Sequence, residues 1–249
     1  ALAALIFYQP FLVLEENLKL KKINKKKLCL AFDGFSASGK SLGSKLISKK
    51  YKLKLLNSGL LYRYAAFLIL KNKPNRKIPF LKKKFSKLNY QYLTSLNLHS
   101  EEISNYASII AKQKKVRLIL KEYQKQFAKK FNRIAIEGRD ISTKILNKNP
   151  RYDIAFFFKC NLNTAAYRRW KDLKMFNKKI SLQEVKKSLR IRNELDKRRR
   201  YSPLKRVRDS VLIRTDILSK SAMIARMSRE IERKLLLKKY ARDYKTRQK

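Results

Sequence analysis

The chain has 249 residues, enough for one large α/β domain with subsidiary flaps or for two small domains. Apolar residues make up 44% of it, which excludes a disordered chain, and a single histidine, His99, excludes a multi-histidine metal centre. Lys and Arg outnumber Asp and Glu by 64 to 18, a net charge of +46. The lysines nevertheless spread through nearly every segment in short runs such as Lys25-Lys26-Lys27 and Lys82-Lys83-Lys84, so they read as a solvated surface that attracts anionic substrates, and polyanions non-specifically, rather than as one nucleic-acid face.

Residues 1–14 are apolar but broken by Pro10, followed by Glu15-Glu16 and preceded by no basic region. They do not read as a secretory signal or a membrane span, and residues 1–27 are expected to be a leader or a fragment boundary. A first strand is expected over 28–32. Directly after it stands Gly34-Phe35-Ser36-Ala37-Ser38-Gly39-Lys40-Ser41, which fits G-x-x-x-x-G-K-[ST]. In such a loop Gly34 and Gly39 let backbone N–H groups, through Ser36, Ala37, Ser38 and on to Leu42, turn toward a polyphosphate. Lys40 reaches the outer phosphates and the Ser41 hydroxyl holds magnesium. A helix over 41–51 would present its positive N-terminal end to the same anion.

A second strand is expected over 53–56, then Asn57-Ser58-Gly59 leading into a helix that carries Tyr62 and Arg63. The Lys/Pro-rich stretch 71–85 shows no clear period and reads as a loop or flap. Residues 100–131 read as one or two helices, with Ser100 the N-cap and Glu101-Glu102 in the first turn. Further strands are expected over 133–136, 154–160 and 210–213, and helices over 161–176, 181–200 and 219–240, the last with Ile224, Met227, Ile231 and Leu235 facing the core. A basic tail follows over 241–249. Cys29 and Cys160 each fall in an apolar strand-like run, as two buried thiols in a reducing compartment would. This alternation of strands and helices implies a parallel sheet with helices on both faces.

Three clusters lie at strand ends or in connections, where open α/β sheets bind ligands: Ser58 to Arg63, Glu137-Gly138-Arg139-Asp140, and the basic run from Arg190 to Arg200. A phosphate cradle, two arginines after strands and a basic helix suit transfer between two phosphates, where positive charge must gather around a moving phosphoryl group. The same parts would serve another small-molecule P-loop kinase. A basic nucleic-acid-binding module built on a P-loop core is the alternative from a different class.

In this order the clusters resemble the bacterial cytidylate kinases, P-loop nucleoside-monophosphate kinases that move a phosphate from ATP to CMP or dCMP. The resemblance covers about 28–236 and rests on the phosphate loop, S-G-x-x-Y-R, the 108–117 segment, E-G-R-D-I, R-x-x-x-D-x-x-R and Ser202-Pro203-Leu204. It implies one domain over 28–240 built on a five-stranded parallel sheet, with a monophosphate-binding insert over about 64–131 and a helical lid over about 181–203. It also implies ATP and Mg²⁺, and a cytoplasmic monomer with no membrane and no specific nucleic-acid partner. By carry-over, Ser58, Tyr62, Arg63, Ser108, Arg117, Arg139, Asp140, Arg192, Asp196 and Arg199 contact the monophosphate, while Lys40, Arg139, Arg192 and Arg199 act in catalysis.

The chemistry of cytosine fits two of these residues. Its amino group wants a carboxylate, Asp140, and its acceptors N3 and O2 want a guanidinium, Arg117; uracil would set acceptor against carboxylate and donor against guanidinium. The chain departs from the family at Phe35, where a proline is usual, at Ala37, where a glycine is common, and at Asn57 and Asn193, where aspartates are usual. The stretch 70–100 is also shorter than the common form. Without a carboxylate at 193, the lid arginines are expected to be short of a partner and to repel one another.

Overall fold

The computed structural model describes residue 24 and residues 26–175 and 179–247; nearly all of the expected leader lies outside them. Five strands form one sheet: β1 (Leu28–Gly34), β2 (Lys54–Asn57), β3 (Arg133–Gly138), β4 (Ile154–Lys159) and β5 (Val211–Arg214). The order is β2-β3-β1-β4-β5 and every pairing is parallel, so the fold is an α/β P-loop kinase fold with its first strand at the centre. Gly34 pairs with Phe158 across β1 and β4, while Asp33 pairs with Gly138 across β1 and β3. The chain leaves β1 at the point where its neighbours diverge to either side, the crevice where such sheets take ligands.

β1 is buried on both faces, and its alternate residues serve two cores. Leu28, Leu30 and Phe32 pack with Ile47 of α1 (Lys40–Lys50) and with Met223, Met227, Ile231 and Leu235 of α9 (Lys220–Arg247). Cys29 and Ala31 face the other core. There they meet side chains of α2 (Ser58–Asn72), α3 (Lys77–Ser86), α4 (Tyr90–Ser95), α5 (Glu101–Ile110) and α6 (Lys114–Lys130). A third, smaller cluster of Ala165, Ala166, Val185 and Leu189 holds α7 (Leu162–Lys174) against α8 (Leu182–Arg198).

The stretch 71–85 is not a loop. The helix α2 runs on to Asn72, and α3 follows, because Leu81 and Phe85 stand four residues apart on one face and are both buried. Pro79 sits in the first turn of α3, where an N–H has no intrahelical partner to lose. The lysine run 82–84 hid this period. Ser100 caps α5 by accepting from the N–H of Ile103 at 3.3 Å. The closing helix does not stop at residue 240 but continues to Arg247, and within it Ile224 is only half-buried, Met223 taking the deeper place.

The two thiols differ. Cys29 is buried, and that burial, with the charge of Asp153, pushes its thiol up to about 12. Cys160 lies one residue beyond β4 and is half-exposed, so the expectation of two buried thiols is corrected. Iodoacetamide at pH 8 is therefore expected to label Cys160 alone in the folded protein, and Cys29 only after denaturation, as peptide mass spectrometry would show.

Candidate active site

Gly34 is required by close approach: a Cβ there would lie 2.5 Å from the carbonyl oxygen of Phe158. Gly39 adopts φ +75° as the N-cap of α1, a left-handed conformation that favours glycine, and adds no side-chain cap. The first intrahelical bond runs from the N–H of Gly43 to Gly39, so the N–H groups of Lys40, Ser41 and Leu42 are free for an anion. Ala37 also adopts a left-handed conformation, φ 54°, at a cost of about 1 kcal/mol. Neighbours hold the loop in that shape. Ser38 Oγ donates to the carbonyl of Phe35 at 2.8 Å, and Thr215, just past β5, donates to the carbonyl of Ser38 at 3.0 Å.

Lys40 is buried, and its Nζ lies 3.3 Å from Glu137 Oε2, which also accepts from Ser44 Oγ at 2.9 Å. Burial lowers the ammonium pKa, while Glu137 opposes that shift. A polyphosphate arriving at the loop would offer this lysine a second anionic partner. For magnesium, Ser41 presents an exposed hydroxyl at the start of α1. No cluster of three or more ligating side chains exists among the described residues, so a magnesium ion here would rest on phosphate oxygens, Ser41 and water, a set that ion accepts readily.

Asp33 braces the far side. Its carboxylate accepts from the N–H of Ile141 and of Ser142, each at 2.8 Å, and from Ser142 Oγ at 2.6 Å, which fixes the single π-helical turn Ile141–Ile145. Burial raises the pKa of Asp33 although these donors oppose it. The turn presents Asp140 at its start, and Arg117 of α6 meets that carboxylate at 2.6 Å. Both side chains are nearly buried. Arg117 also donates to the carbonyl of Ala111 at 3.0 Å and stacks 5.5 Å from the ring centre of Tyr62. Burial works against its charge, but Asp140 and Tyr62 together hold its pKa above the ordinary value.

All ten residues expected to contact a monophosphate line one cavity of about 120 Å³. Ser58 Oγ donates to Gln124 Oε1 at 2.5 Å, Arg63 Nε donates to Ser104 Oγ at 3.4 Å, and Ser108 Oγ donates to the carbonyl of Ser104 at 3.1 Å. Arg139 donates to Ser36 Oγ at 3.0 Å and pairs with Asp196 at 2.9 Å, and Asp196 also pairs with Arg199 at 3.1 Å. Arg117 Nε and Arg199 Nη2 are buried with no hydrogen-bond partner, and buried orphan donors beside a cavity are what a bound acceptor would satisfy. Arg192 keeps open surface, yet desolvation within the arginine cluster, then the like charge of Arg139, pulls its pKa down to about 10. Arg63 is lowered by burial and by the charges of Arg169 and Arg139.

Several residues here were not singled out from the sequence. Glu137 was visible only as part of E-G-R-D, and Arg169 of α7 is one arginine among many. Asp33, Gln124 and Thr215 act through partners remote in the chain. The two neutral replacements also have places. Asn57 caps α2, its Oδ1 accepting from the N–H of Leu60 at 3.2 Å. Asp196 serves Arg139 and Arg199, while Arg192 has no ion-pair partner among the described residues and feels the like charge of its arginine neighbours; Asn193 Oδ1 accepts from the N–H of Ser36 at 3.1 Å.

A family description, cytidylate kinase, matches residues 30–233. A cytidylate kinase of Mesomycoplasma hyopneumoniae (strain 7448) is 31% identical over 222 residues, 84% of this chain and 96% of that protein. One of Rickettsia akari (strain Hartford) is 31% identical over 223 residues, 88% of this chain and 99% of that protein. In fold, the chain resembles the crystal structure of an uncharacterized protein from Eubacterium ventriosum ATCC 27560, with a TM-score of 0.51 and 12% identity over 83% of this chain and 99% of the other. With a phosphate loop at the centre of the sheet, an arginine-lined cavity beside it and this match across most of its length, the chain belongs to the cytidylate kinase family.

Proposed function

We propose that this kinase transfers the γ-phosphoryl group of ATP, with Mg²⁺, to CMP and dCMP, giving ADP and CDP or dCDP. The observation that carries the reading is the nearly buried Arg117–Asp140 pair at 2.6 Å, set in the cavity that the arginines surround. Together they offer an acceptor for the amino group of cytosine and donors for N3 and O2. Ser58, held by Gln124, and Tyr62, stacked on Arg117, bound the base side.

Arg63, Arg139 and Arg199 hold the acceptor phosphate, Arg192 faces the transferring group, and Ser108 with Asp196 addresses the sugar side of the cavity. Lys40 turns from Glu137 to the β- and γ-phosphates, with the loop N–H groups cradling them. Ser41 would hold the magnesium ion, which when bound would supply positive charge to offset that of the donor phosphates. An oxygen of the CMP phosphate attacks Pγ and the bond from Pγ to the ADP oxygen breaks; the acceptor is already anionic, so no general base is needed. The segment α2–α6 acts as the monophosphate-binding insert and α8 as the lid. We place this reaction in the cytoplasm and assign it to a monomer; no helix among the described residues is long and apolar enough to cross a membrane.

A panel of monophosphates with Mg-ATP tests the assignment. CMP and dCMP are expected to exceed UMP and AMP in kcat/KM by about 10²-fold or more, since mispaired buried polar groups reject an analogue strongly. Equal rates on CMP and AMP would remove the cytosine reading.

A further inference from the structure

The α7–α8 hairpin has its own small apolar cluster, distinct from the two that cover the sheet. That cluster reaches the phosphate loop through Ala37 alone of the loop residues, and the other contacts that α8 makes with the loop and the end of β3 are polar. Asn193 Oδ1 accepts from the backbone N–H of Ser36 at 3.1 Å, Asp196 takes Arg139 at 2.9 Å, and the Lys197 ammonium lies 5.4 Å from the centre of the Phe35 ring. Only the first is a neutral bond to the backbone of the loop itself. It joins residues 157 positions apart.

Ser36 was expected among the cradle residues, but its N–H already donates to Asn193 and is not one of the N–H groups open to an anion. The N–H groups left free for an anion at the start of α1 belong to Lys40, Ser41 and Leu42, so the bond from Ser36 to Asn193 need not break when a nucleotide binds. Arg192 is the next residue back along α8, and it lines the cavity among Arg63, Arg139 and Arg199. The carboxylates of α8 are already engaged: Asp196 by Arg139 and Arg199, and the outward Glu194 by Lys197 and Arg198. A carboxylate at 193 could also accept from Ser36, but it would set a negative charge beside Arg192 and next to the path of an anionic group. The amide makes the same bond without that charge.

We propose that Asn193 is a positioning residue that fastens α8 to the rim of the phosphate loop and leaves the charge of Arg192 uncommitted until a phosphate arrives. The catalytic part of this proposal rests on the kinase reading above; the tether does not.

Three proteins test it: wild type, Asn193→Ala and Asn193→Asp. In the ligand-free state, Asn193→Ala is expected to speed hydrogen exchange at the Ser36 amide by about tenfold while Asn193→Asp keeps it protected. In turnover, Asn193→Ala is expected to lower kcat by about 10–100-fold with little change in KM for ATP, as loss of alignment does. The aspartate variant should recover most of that kcat but raise KM for CMP several-fold at low salt, an excess that added salt removes, because its new charge pairs with Arg192. Unchanged Ser36 exchange in Asn193→Ala overturns the tether, and identical kinetics in the two variants overturn the charge argument. If wild type phosphorylates no monophosphate, the kinase reading fails and the exchange measurement alone still decides the tether.

Discussion

Replacing Lys40 with alanine is expected to cut turnover by about 10²–10³-fold or more, since charge placed at the β/γ oxygens is most of what a protein contributes to phosphoryl transfer. The structure adds a second effect that the phosphate-loop pattern alone does not suggest. Lys40 and Glu137 form a buried pair at 3.3 Å, and removing one partner leaves an uncompensated charge at a cost of about 3–5 kcal/mol. Lys40→Ala should therefore melt well below wild type. The double variant Lys40→Met with Glu137→Gln separates the two effects: it should recover most of the melting temperature and none of the activity. Activity in that double variant would mean that the lysine does not serve the donor phosphates.

The second large effect is on selectivity. Asp140→Asn keeps shape but exchanges an acceptor for an amide that can donate, so kcat/KM for CMP is expected to fall by about 10²-fold while UMP loses far less. The ratio of CMP to UMP, not the absolute rate, is the measurement. The substitution also leaves Arg117 nearly buried without its counter-charge, which lowers stability and lowers both rates together. A ratio that does not move would make Asp140 a structural partner of Arg117.

Much of this was legible in the sequence, for a physical reason. The loop from Gly34 to Ser41 needs its residue types at fixed local spacing, and Arg63, Arg139 and Asp140 stand just after strand signals, so local pattern was enough. All five strands lie within two residues of where they were expected. The parts that were missed depend on distant partners. A carboxylate inside an apolar run, Asp33, says nothing until Ser142, 109 residues away, is seen to donate to it. Gln124 matters only through Ser58, and Thr215 only through the carbonyl of Ser38. Asn193 was read by the charge it lacks, whereas its role lies in the bond it makes to Ser36. The helix α3 was lost for the opposite reason: its two buried residues were in plain view, but ten residues give a periodic signal too short to stand out from the lysines around it.

The largely polar seam under α8 has a thermodynamic consequence. Motions that bury apolar surface carry a large negative heat-capacity change and so respond strongly to temperature. Here α7 and α8 keep most of their apolar contacts to each other, and what is made or broken against the loop and the end of β3 is an amide bond, an ion pair, a cation over a ring and the one small apolar contact of Ala37. Opening and closing of this hairpin should therefore show only a small heat-capacity change, and its equilibrium should follow ionic strength more than warmth.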